Sequence, residues 1–368
     1  MSQVVAVVGG GYGGTLVAKA LEHDAQVTLI DPRDAFVNVA GSLRALARPD
    51  WAPRIFFPYR TLLEHGRVIR DQASSVDPAG VTLAGGGRIE ADYLVLATGS
   101  SYSYPARPKQ LSTDTVHALA GLRLTHDQLA RAERVLILGA GPVGLELAGE
   151  IREVWPQKRV VLVDPADEIL AGFLPEVRQE LRRQLQELDI DLRLGASLVG
   201  LPPVEDGTAG TFTVSTDDGG EITADIWFRS FGAHLNTGYL ADGNLVELTD
   251  RATVPVDDHL NVIGHQHVYA LGDIAELADA KMATHAQTQA LVVVENLRSQ
   301  LRGERPRSEY GQDSAPRILL PLGTCAGVGQ LPAPDGAPVP VTLETVTRRK
   351  GADLFTARLS GRFNRVPG

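Results

Sequence analysis

Two stretches of the chain share one order of apolar and polar positions. In residues 4–31, an apolar run is followed by a glycine-rich turn, a stretch with helical spacing, a second apolar run and a final acid. Residues 134–164 repeat this order and also end in an acid. Short apolar runs bounded by glycines predict buried strands, and the 3.6-residue spacing between them predicts a helix. Each stretch is therefore predicted to form a β-α-β unit.

Both units carry the pattern G-x-G-x-x-G between the first strand and the helix. The glycines are Gly9, Gly11 and Gly14 in the first unit, and Gly139, Gly141 and Gly144 in the second. In a dinucleotide-binding unit they permit a tight turn, close approach of the pyrophosphate and close packing of helix on strand. The phosphates then lie at the helix N-terminus, where free N–H groups and the helix dipole favour negative charge. One such pattern is weak evidence, but two copies in the same context predict two dinucleotide sites.

The similarity continues downstream of each unit. Residues 81–100 and 212–233 both contain a strand, a glycine-rich hairpin turn, Ala-Asp, an apolar strand and a glycine, Gly99 or Gly232. A third feature is the short strand before Gly272-Asp273, which precedes a helix-like stretch at residues 280–297. The pattern predicts an α/β fold with two Rossmann-like dinucleotide-binding domains and a small C-terminal α+β domain.

The predicted domains are discontinuous along the chain. Residues 1–105 and 235–302 are assigned to the first dinucleotide-binding domain, 106–234 to the second, and 303–368 to the C-terminal domain. Residues 101–109, which are rich in Ser and Pro, are a plausible crossing between the first two. Residues 339–368 alternate apolar and polar positions, and this alternation predicts strands rather than amphipathic helices.

Composition and charge narrow the class of protein. A net charge of −10 argues against a nucleic-acid partner, because binding to phosphate backbones needs a basic face. The chain enters a predicted strand at once, which leaves no room for a signal peptide, and no apolar run approaches the roughly 20 residues of a membrane span. We therefore expect a soluble cytoplasmic protein. Peripheral association with a membrane and the oligomeric state stay open.

Cysteine content limits the redox chemistry. Cys325 is the single cysteine of the chain. An intramolecular disulfide, a C-x-x-C metal site and an internal dithiol relay are therefore excluded. The pair His265 and His267 has a spacing suited to a metal in a strand, but no third ligand is evident nearby, and we predict no metal site.

The motifs together resemble the FAD/NAD-linked pyridine-nucleotide oxidoreductases: G-x-G-x-x-G, "LATG", a second G-x-G-x-x-G, and "YALGD". Shorter stretches resemble the apoptosis-inducing-factor-like group, which includes ferroptosis suppressor protein. These stretches are "NVAGSLRA" at 38–45, "FFPY" at 56–59, "GLELAGEI" at 144–151, "KMA" at 281–283 and "LGTCAGVGQL" at 322–331. The resemblance covers nearly the whole chain and implies FAD in the first unit and NAD(P)H in the second.

The resemblance also implies site residues. Those expected at FAD are Gly9, Gly10, Gly11, Tyr12, Gly13, Gly14, Asp31, Arg44, Ala73, Thr98, Gly99, Gly272, Asp273 and Lys281; those expected at NAD(P)H are Gly139, Gly141, Gly144, Glu146, Asp164 and Gly232. Glu146 and Lys281 are the candidates for a catalytic role. From the residues alone, a solvated surface cation is the favoured interpretation of Arg44 and of Lys281. Glu146 is also consistent with an acid in the first turn of a helix, and His285 with a packed or exposed helix histidine.

Asp164 predicts the preferred nucleotide. An acid at this position accepts hydrogen bonds from an adenosine ribose and repels a 2′-phosphate. No arginine lies in residues 164–170 to bind that phosphate. We therefore predict NADH as the donor, with NADPH disfavoured.

The expected activity is an FAD-dependent NAD(P)H oxidoreductase that passes electrons to an external acceptor. Residues 34–51 hold no cysteine pair, so electrons are expected to leave the flavin directly, and the resemblance favours a quinone. Disulfide reductases and sulfide:quinone oxidoreductases are set aside because they rely on cysteines. A type II NADH dehydrogenase-like enzyme, a ferredoxin or rubredoxin reductase and a slow redox sensor stay open as alternatives.

Overall fold

The computed structural model describes residues 3–102, 113–311 and 316–364. The strands in chain order are β1 (Val4–Val8), β2 (Gln26–Ile30), β3 (Ala35–Val37), β4 (Phe56–Pro58), β5 (Arg67–Ile69), β6 (Ala73–Asp77), β7 (Gly80–Leu83), β8 (Arg88–Glu90), β9 (Tyr93–Leu96), β10 (Ser100–Ser101), β11 (Arg134–Leu138), β12 (Arg159–Asp164), β13 (Ile190–Leu194), β14 (Phe212–Ser215), β15 (Glu221–Ala224), β16 (Ile226–Arg229), β17 (His234–Leu235), β18 (Val268–Ala270), β19 (Ile318–Leu322), β20 (Ala326–Pro332) and β21 (Pro338–Val341).

The helices lie between these strands and after the last of them. They are α1 (Tyr12–Leu21), α2 (Ser42–Ala47), α3 (Thr115–Arg131), α4 (Pro142–Val154), α5 (Pro175–Glu187), α6 (Ala283–Leu301), α7 (Leu343–Val346), a π-helical turn (Thr347–Gly351) and α8 (Thr356–Arg362).

The first β-α-β unit forms the centre of a parallel sheet of order β18-β9-β1-β2-β5. Because successive side chains of a strand point to opposite faces, β1 is apolar on both. Val5 and Val7 pack in a core with α1 and α6, whereas Ala6 and Val8 pack in a core that includes β6 and β7. Burial on both faces explains why the sequence of β1 is an uninterrupted apolar run.

The second β-α-β unit repeats this arrangement in a parallel sheet of order β13-β12-β11-β16. Val135 and Ile137 face the core that contains α3, α4 and α5, while Leu136 and Leu138 face the core under the β14–β15 hairpin. The predicted hairpins are present as β7–β8 and β14–β15, both antiparallel. The α/β fold with two Rossmann-like units is thus confirmed.

A short pairing joins the segments that follow the two sheets. Ser100 and Ser101 in β10 pair with Leu235 and His234 in β17, in antiparallel register. The predicted crossing at residues 101–109 lies, from residue 103 onward, outside the described residues.

The C-terminal segment corrects one prediction. Strands β19, β20 and β21 form an antiparallel sheet, but residues 343–362, for which alternation predicted strands, form α7, the π-helical turn and α8. Leu359 and Phe363 are one helical turn apart and both are buried. Their burial against the first unit's core decides the conformation, so tertiary contacts override the apparent alternation. The unit is α+β, as the fold class predicted.

Candidate functional site

The two glycine turns have the same geometry. Gly9 and Gly139, the first glycine of each motif, have φ of +104° and +105°. A Cβ at Gly9 would lie 2.4 Å from the carbonyl oxygen of Ala97. Backbone conformation and close packing therefore both require glycine at this position.

The remaining glycines of each motif open the helix to a ligand. A Cβ on Gly14 or Gly144 would lie 1.9 Å from the carbonyl oxygen of Gly9 or Gly139, so each helix packs tightly on its turn. Gly11 and Gly141 are the N-cap residues of α1 and α4, and no side chain of the described residues caps either helix. The first-turn N–H groups thus remain available for the phosphates of a dinucleotide.

The acids that close the two units brace these turns. Asp31 Oδ2 accepts a hydrogen bond of 2.7 Å from the Gly10 amide, and Asp164 Oδ2 accepts one of 2.7 Å from the Ala140 amide. The sequence predicted these acids as ribose ligands but did not predict their hydrogen bonds to the backbone amides of the glycine turns. Each carboxylate therefore holds its glycine turn in place.

Asp31 also has a cationic partner that the sequence analysis missed. Arg33 donates to Asp31 from Nε at 2.8 Å and from Nη2 at 2.7 Å, and the Tyr59 hydroxyl donates to the Gly10 carbonyl at 2.8 Å. Burial by itself would raise the pKa of Asp31, but the Arg33 guanidinium and the backbone N–H donors outweigh it and hold that pKa below its usual value. Asp31 is therefore an anion at neutral pH. The only local signal was an arginine two residues after the acid.

A cavity of about 710 Å³ extends from the first glycine turn. Gly9, Asp31, Ala73 and Thr98, which are expected at FAD, line this cavity, and so does Arg33. Its volume lies within the range typical of sites for cofactors and drug-sized ligands. The turn, the uncapped helix, the acid and this cavity together fit FAD.

Tyr12 and Gly13, which are also expected at FAD, contact neighbouring segments of the chain. The Tyr12 hydroxyl donates to Asn38 Oδ1 at 2.6 Å and accepts from the Ala40 amide at 3.3 Å, which holds residues 38–45 against α1. A Cβ on Gly13 would lie 2.3 Å from Leu271 Cδ1. Gly99 and Gly232 occupy matching positions after β9 and β16.

The Gly272-Asp273 motif forms a second small cleft. The Gly272 amide donates to Gln289 Oε1 at 2.7 Å, and Ser100 Oγ donates to Asp273 Oδ2. Lys281 and His285 line the same cleft. Lys281 Nζ donates to the Ala275 carbonyl at 3.0 Å, and partial burial of this ammonium lowers the pKa of Lys281. The structure therefore brings Asp273 and Lys281 together, as the resemblance implies.

Arg44 is not a surface cation, so that alternative is wrong. The residue is 2% exposed, and its guanidinium donates to Glu150 Oε1 at 2.8 Å, the Gly351 carbonyl at 2.7 Å and the Gly323 carbonyl at 3.1 Å. These partners come from α4 and the C-terminal unit. The expected contact of Arg44 with the flavin stays a prediction, and the guanidinium is already engaged by these protein groups.

Glu146 also has an unexpected partner. Lys350 Nζ donates to Glu146 Oε1 at 2.6 Å and to the Leu319 carbonyl at 3.1 Å. Burial raises the pKa of Glu146, although Lys350 and Arg44 oppose the shift. The first turn of α4 contains no acidic residue, so the alternative of a first-turn acid is wrong. The C-terminal unit thus reaches the residue assigned to the nicotinamide site.

The histidines offer no metal geometry. His265 Nε2 lies 2.8 Å from the Leu245 carbonyl oxygen and His267 Nε2 lies 2.8 Å from the Pro78 carbonyl oxygen. His285 is buried on α6, with Nδ1 2.8 Å from the Ala280 carbonyl. Within residues 3–102, 113–311 and 316–364, no group of three or more His, Cys, Asp or Glu side chains is placed to hold a metal ion.

Comparison with known proteins identifies the family of this chain. Residues 3–290 match the family model of the pyridine nucleotide-disulphide oxidoreductases. The chain belongs to that family. Ferroptosis suppressor protein 1 of Taeniopygia guttata is 30% identical over 363 residues, which are 96% of this chain and 94% of that protein. Apoptosis-inducing factor homolog A of Dictyostelium discoideum is 25% identical over 344 residues, 89% of this chain and 84% of that protein.

The fold is also shared with a solved structure. The sulfide:quinone oxidoreductase of Aquifex aeolicus superposes with a TM-score of 0.75 at 18% identity, covering 99% of this chain and 92% of that one. Membership of the pyridine nucleotide-disulphide oxidoreductases makes the protein an FAD-dependent NAD(P)H oxidoreductase, as the sequence predicted. Among the helices that the structure describes, none has the length and apolar content needed to cross a membrane.

Proposed function

We propose that the protein transfers reducing equivalents from NADH to FAD and from there to a quinone. The observation that carries this proposal is the presence of two glycine turns of equal geometry, one beside a cavity suited to FAD, in a chain with a single cysteine. Because no dithiol can form within the chain, the acceptor is external. A quinone is favoured by the resemblance to the apoptosis-inducing-factor-like group.

The residues of this chain act mainly by binding and orientation. We propose that Asp31 and Arg33, which line the cavity, bind the adenosine end of FAD, and that the uncapped N-terminus of α1 binds its pyrophosphate. Asp273 and Lys281 are proposed to contact the flavin end. Bound FAD supplies the two-electron chemistry, and the protein brings nicotinamide and flavin to reacting distance. The second unit has a matching glycine turn and an uncapped helix. We therefore assign to the NADH site the residues Gly139, Gly141, Gly144, Glu146 and Asp164.

The preference for NADH is proposed from Asp164. Its Oδ1 accepts from the Ala166 amide at 2.8 Å and its Oδ2 from Ala140, so the carboxylate is fixed at the end of β12. A fixed anion there repels a 2′-phosphate. Asp164→Ala should reduce the ratio of kcat/KM for NADH over NADPH. An equal or better kcat/KM with NADPH in the wild-type enzyme would contradict the preference.

The domain boundaries proposed from the sequence are supported by the sheets. All strands of the β1 sheet fall in residues 1–105 and 235–302, and all strands of the β11 sheet fall in 106–234. Strands β19 to β21 fall in 303–368.

An acceptor panel tests the quinone. FAD-loaded protein is assayed with NADH and a short-chain quinone, ferredoxin, rubredoxin or ferricyanide. The proposal expects the highest kcat/KM with the quinone among the first three. Turnover with ferricyanide but not with the quinone removes the quinone and leaves the oxidoreductase; faster reduction of ferredoxin or rubredoxin favours the protein-carrier alternative.

A further inference from the structure

The carboxyl end of β16 differs from the matching strand end of the first unit. Leu96 pairs with Val8, the residue before Gly9, and Arg229 pairs with Leu138, the residue before Gly139. The two positions are therefore equivalent in the internal repeat. Leu96 is completely buried in an apolar core. The second unit has an arginine in its place, which calls for a physical explanation.

Two aromatic rings hold the Arg229 guanidinium. Its Cζ lies 5.6 Å from the ring centre of Trp227 and 5.7 Å from that of Phe231. Trp227 is buried in the core, whereas Phe231 is half-exposed, so the cation is fixed between the protein interior and solvent. Stacking of this kind restricts an arginine without using its hydrogen-bond donors.

The guanidinium has no anionic partner among the described residues. No carboxylate of residues 3–102, 113–311 or 316–364 forms a salt bridge with it, and its buried Nε has no hydrogen-bond acceptor there. The adjacent Ser230 Oγ is also buried without a partner in the described chain. Burying polar groups without partners is unfavourable. Two such atoms at one strand end indicate that a ligand completes the site.

The position of β16 identifies the ligand chemistry. The Ser230 amide donates to the Leu138 carbonyl at 2.8 Å, and a Cβ on Gly139 would lie 3.1 Å from the Ser230 carbonyl oxygen. Arg229 therefore lies on the strand next to β11, about 4.8 Å away, and β11 leads into the glycine turn and the uncapped N-terminus of α4. Asp164, which is assigned to the ribose, lies on β12 at the other side of β11. The anion expected between these strands is a pyrophosphate.

We propose that Arg229, held by Trp227 and Phe231, binds the pyrophosphate of the nicotinamide nucleotide at the second site. The inference rests on the proposed NADH site and adds a binding residue to it. Because NADH and NADPH both contain the pyrophosphate, Arg229 should strengthen the binding of both nucleotides and should not change the preference between them. Although residues 164–170 contain no arginine, Arg229 supplies a cation to the nucleotide.

The test compares Arg229→Gln and Arg229→Lys with a control, Arg159→Gln. Arg159 is an exposed arginine at the start of β12, at the end of the sheet opposite the glycine turn. Dissociation constants of ADP-ribose and adenosine are measured by calorimetry on FAD-loaded protein, together with KM for NADH and NADPH. A charge-assisted hydrogen bond predicts a loss of roughly 10- to 100-fold for ADP-ribose in Arg229→Gln. Adenosine binding, FAD content and Arg159→Gln should stay at wild-type values.

Further results follow from the charge. Arg229→Lys should recover part of the ADP-ribose affinity, and added salt should weaken ADP-ribose binding less in Arg229→Gln than in wild type. KM for NADH and NADPH should rise by similar factors, with kcat little changed.

Three outcomes overturn the proposal: unchanged ADP-ribose affinity in Arg229→Gln, an equal loss for adenosine and ADP-ribose, or a loss confined to NADPH. The second would mean that Arg229 only supports the fold of the site, and the third that it faces a 2′-phosphate. These results are separable from failure of the proposed function, in which wild-type protein would neither bind ADP-ribose nor oxidise NADH.

Discussion

Replacing Arg44 by Met removes the cation from a buried ion pair. The Arg44 and Glu150 side chains are 2% and 5% exposed, with Nε 2.8 Å from Oε1. Met preserves part of the apolar stem. Among the described residues, Glu150 then forms an ion pair with Arg48 alone, whose Nε lies 3.8 Å from Oε2. Removing one partner of a buried pair costs about 3–5 kcal/mol. Since total stabilities are about 5–15 kcal/mol, Arg44→Met should lose a large part of the free energy of unfolding.

The loss should depend on pH. Burial raises the pKa of Glu150 even with Arg44 present, and without Arg44 that pKa rises further. A carboxyl whose pKa is higher in the folded than in the unfolded state favours proton binding by the folded protein. The penalty of Arg44→Met should therefore shrink as pH falls through the raised pKa. Arg44→Met combined with Glu150→Gln should recover part of the stability at pH 8, where the single variant keeps a buried carboxylate that has lost its nearer cationic partner.

Urea denaturation followed by tryptophan fluorescence, with FAD in constant excess, measures these effects. Arg183→Ala is the matched control, because Arg183 also pairs with acids, Glu180 and Glu187, but at the exposed surface. Its denaturation midpoint should not move detectably. The reasoning is refuted if Arg44→Met behaves like Arg183→Ala, if its penalty is the same at pH 5 and pH 8, or if Glu150→Gln restores nothing.

Three further predictions follow from the geometry. Gly14→Ala should abolish FAD retention, and Gly144→Ala should retain FAD but lose NADH oxidation, because each new Cβ would lie 1.9 Å from a carbonyl oxygen. Flavin absorbance per protein measures the first effect and NADH turnover the second. Gly121→Ala is the control, because its Cβ would have no atom within 4 Å. Phe363→Ala should cost about 3–5 kcal/mol in urea denaturation, since the ring is fully buried beside Phe36 and Phe57; a loss below 1 kcal/mol would contradict the docking of α8. Asp31→Asn should lower the flavin content of purified protein, because it weakens the hydrogen bond to the Gly10 amide and removes the carboxylate partner of Arg33. Wild-type flavin content would argue against the assignment of Asp31.

The parts of the fold that sequence predicts are those with local physical causes. The turns at Gly9 and Gly139 need a positive φ and a close packing contact, and both requirements are visible as glycines between an apolar run and a helical pattern. The two β-α-β units and their closing acids were therefore predictable from residues within about 30 positions of each other.

Arg44 and Glu146 show what such reasoning misses. Arg44 is followed by helix-forming residues and resembles a surface cation, yet its partners Glu150, Gly323 and Gly351 are more than 100 residues away in the chain. The same holds for Lys350, which is 204 residues from Glu146. No local pattern marks which distant carboxylate or carbonyl will be nearby.

The prediction of strands in the C-terminal segment was wrong for a related reason. Alternation over residues 339–368 favoured strands, but the buried side chains of α8 and Phe363 pack on Phe36 and Phe57, which come from the first unit. The presence of helices in this segment also concerns the type II NADH dehydrogenase-like alternative. A helix is present, but it places Leu359 in the core rather than at a membrane surface.

The central claim is that one chain binds FAD and NADH at two sites and passes electrons between them. The most direct measurement is the visible spectrum of FAD-loaded protein under anaerobic addition of NADH, followed by addition of a quinone. Wild type is predicted to lose the oxidised flavin band on NADH addition and regain it with the quinone, whereas Gly144→Ala should keep the band unchanged throughout. A flavin band that NADH leaves intact in the wild-type protein would contradict the account.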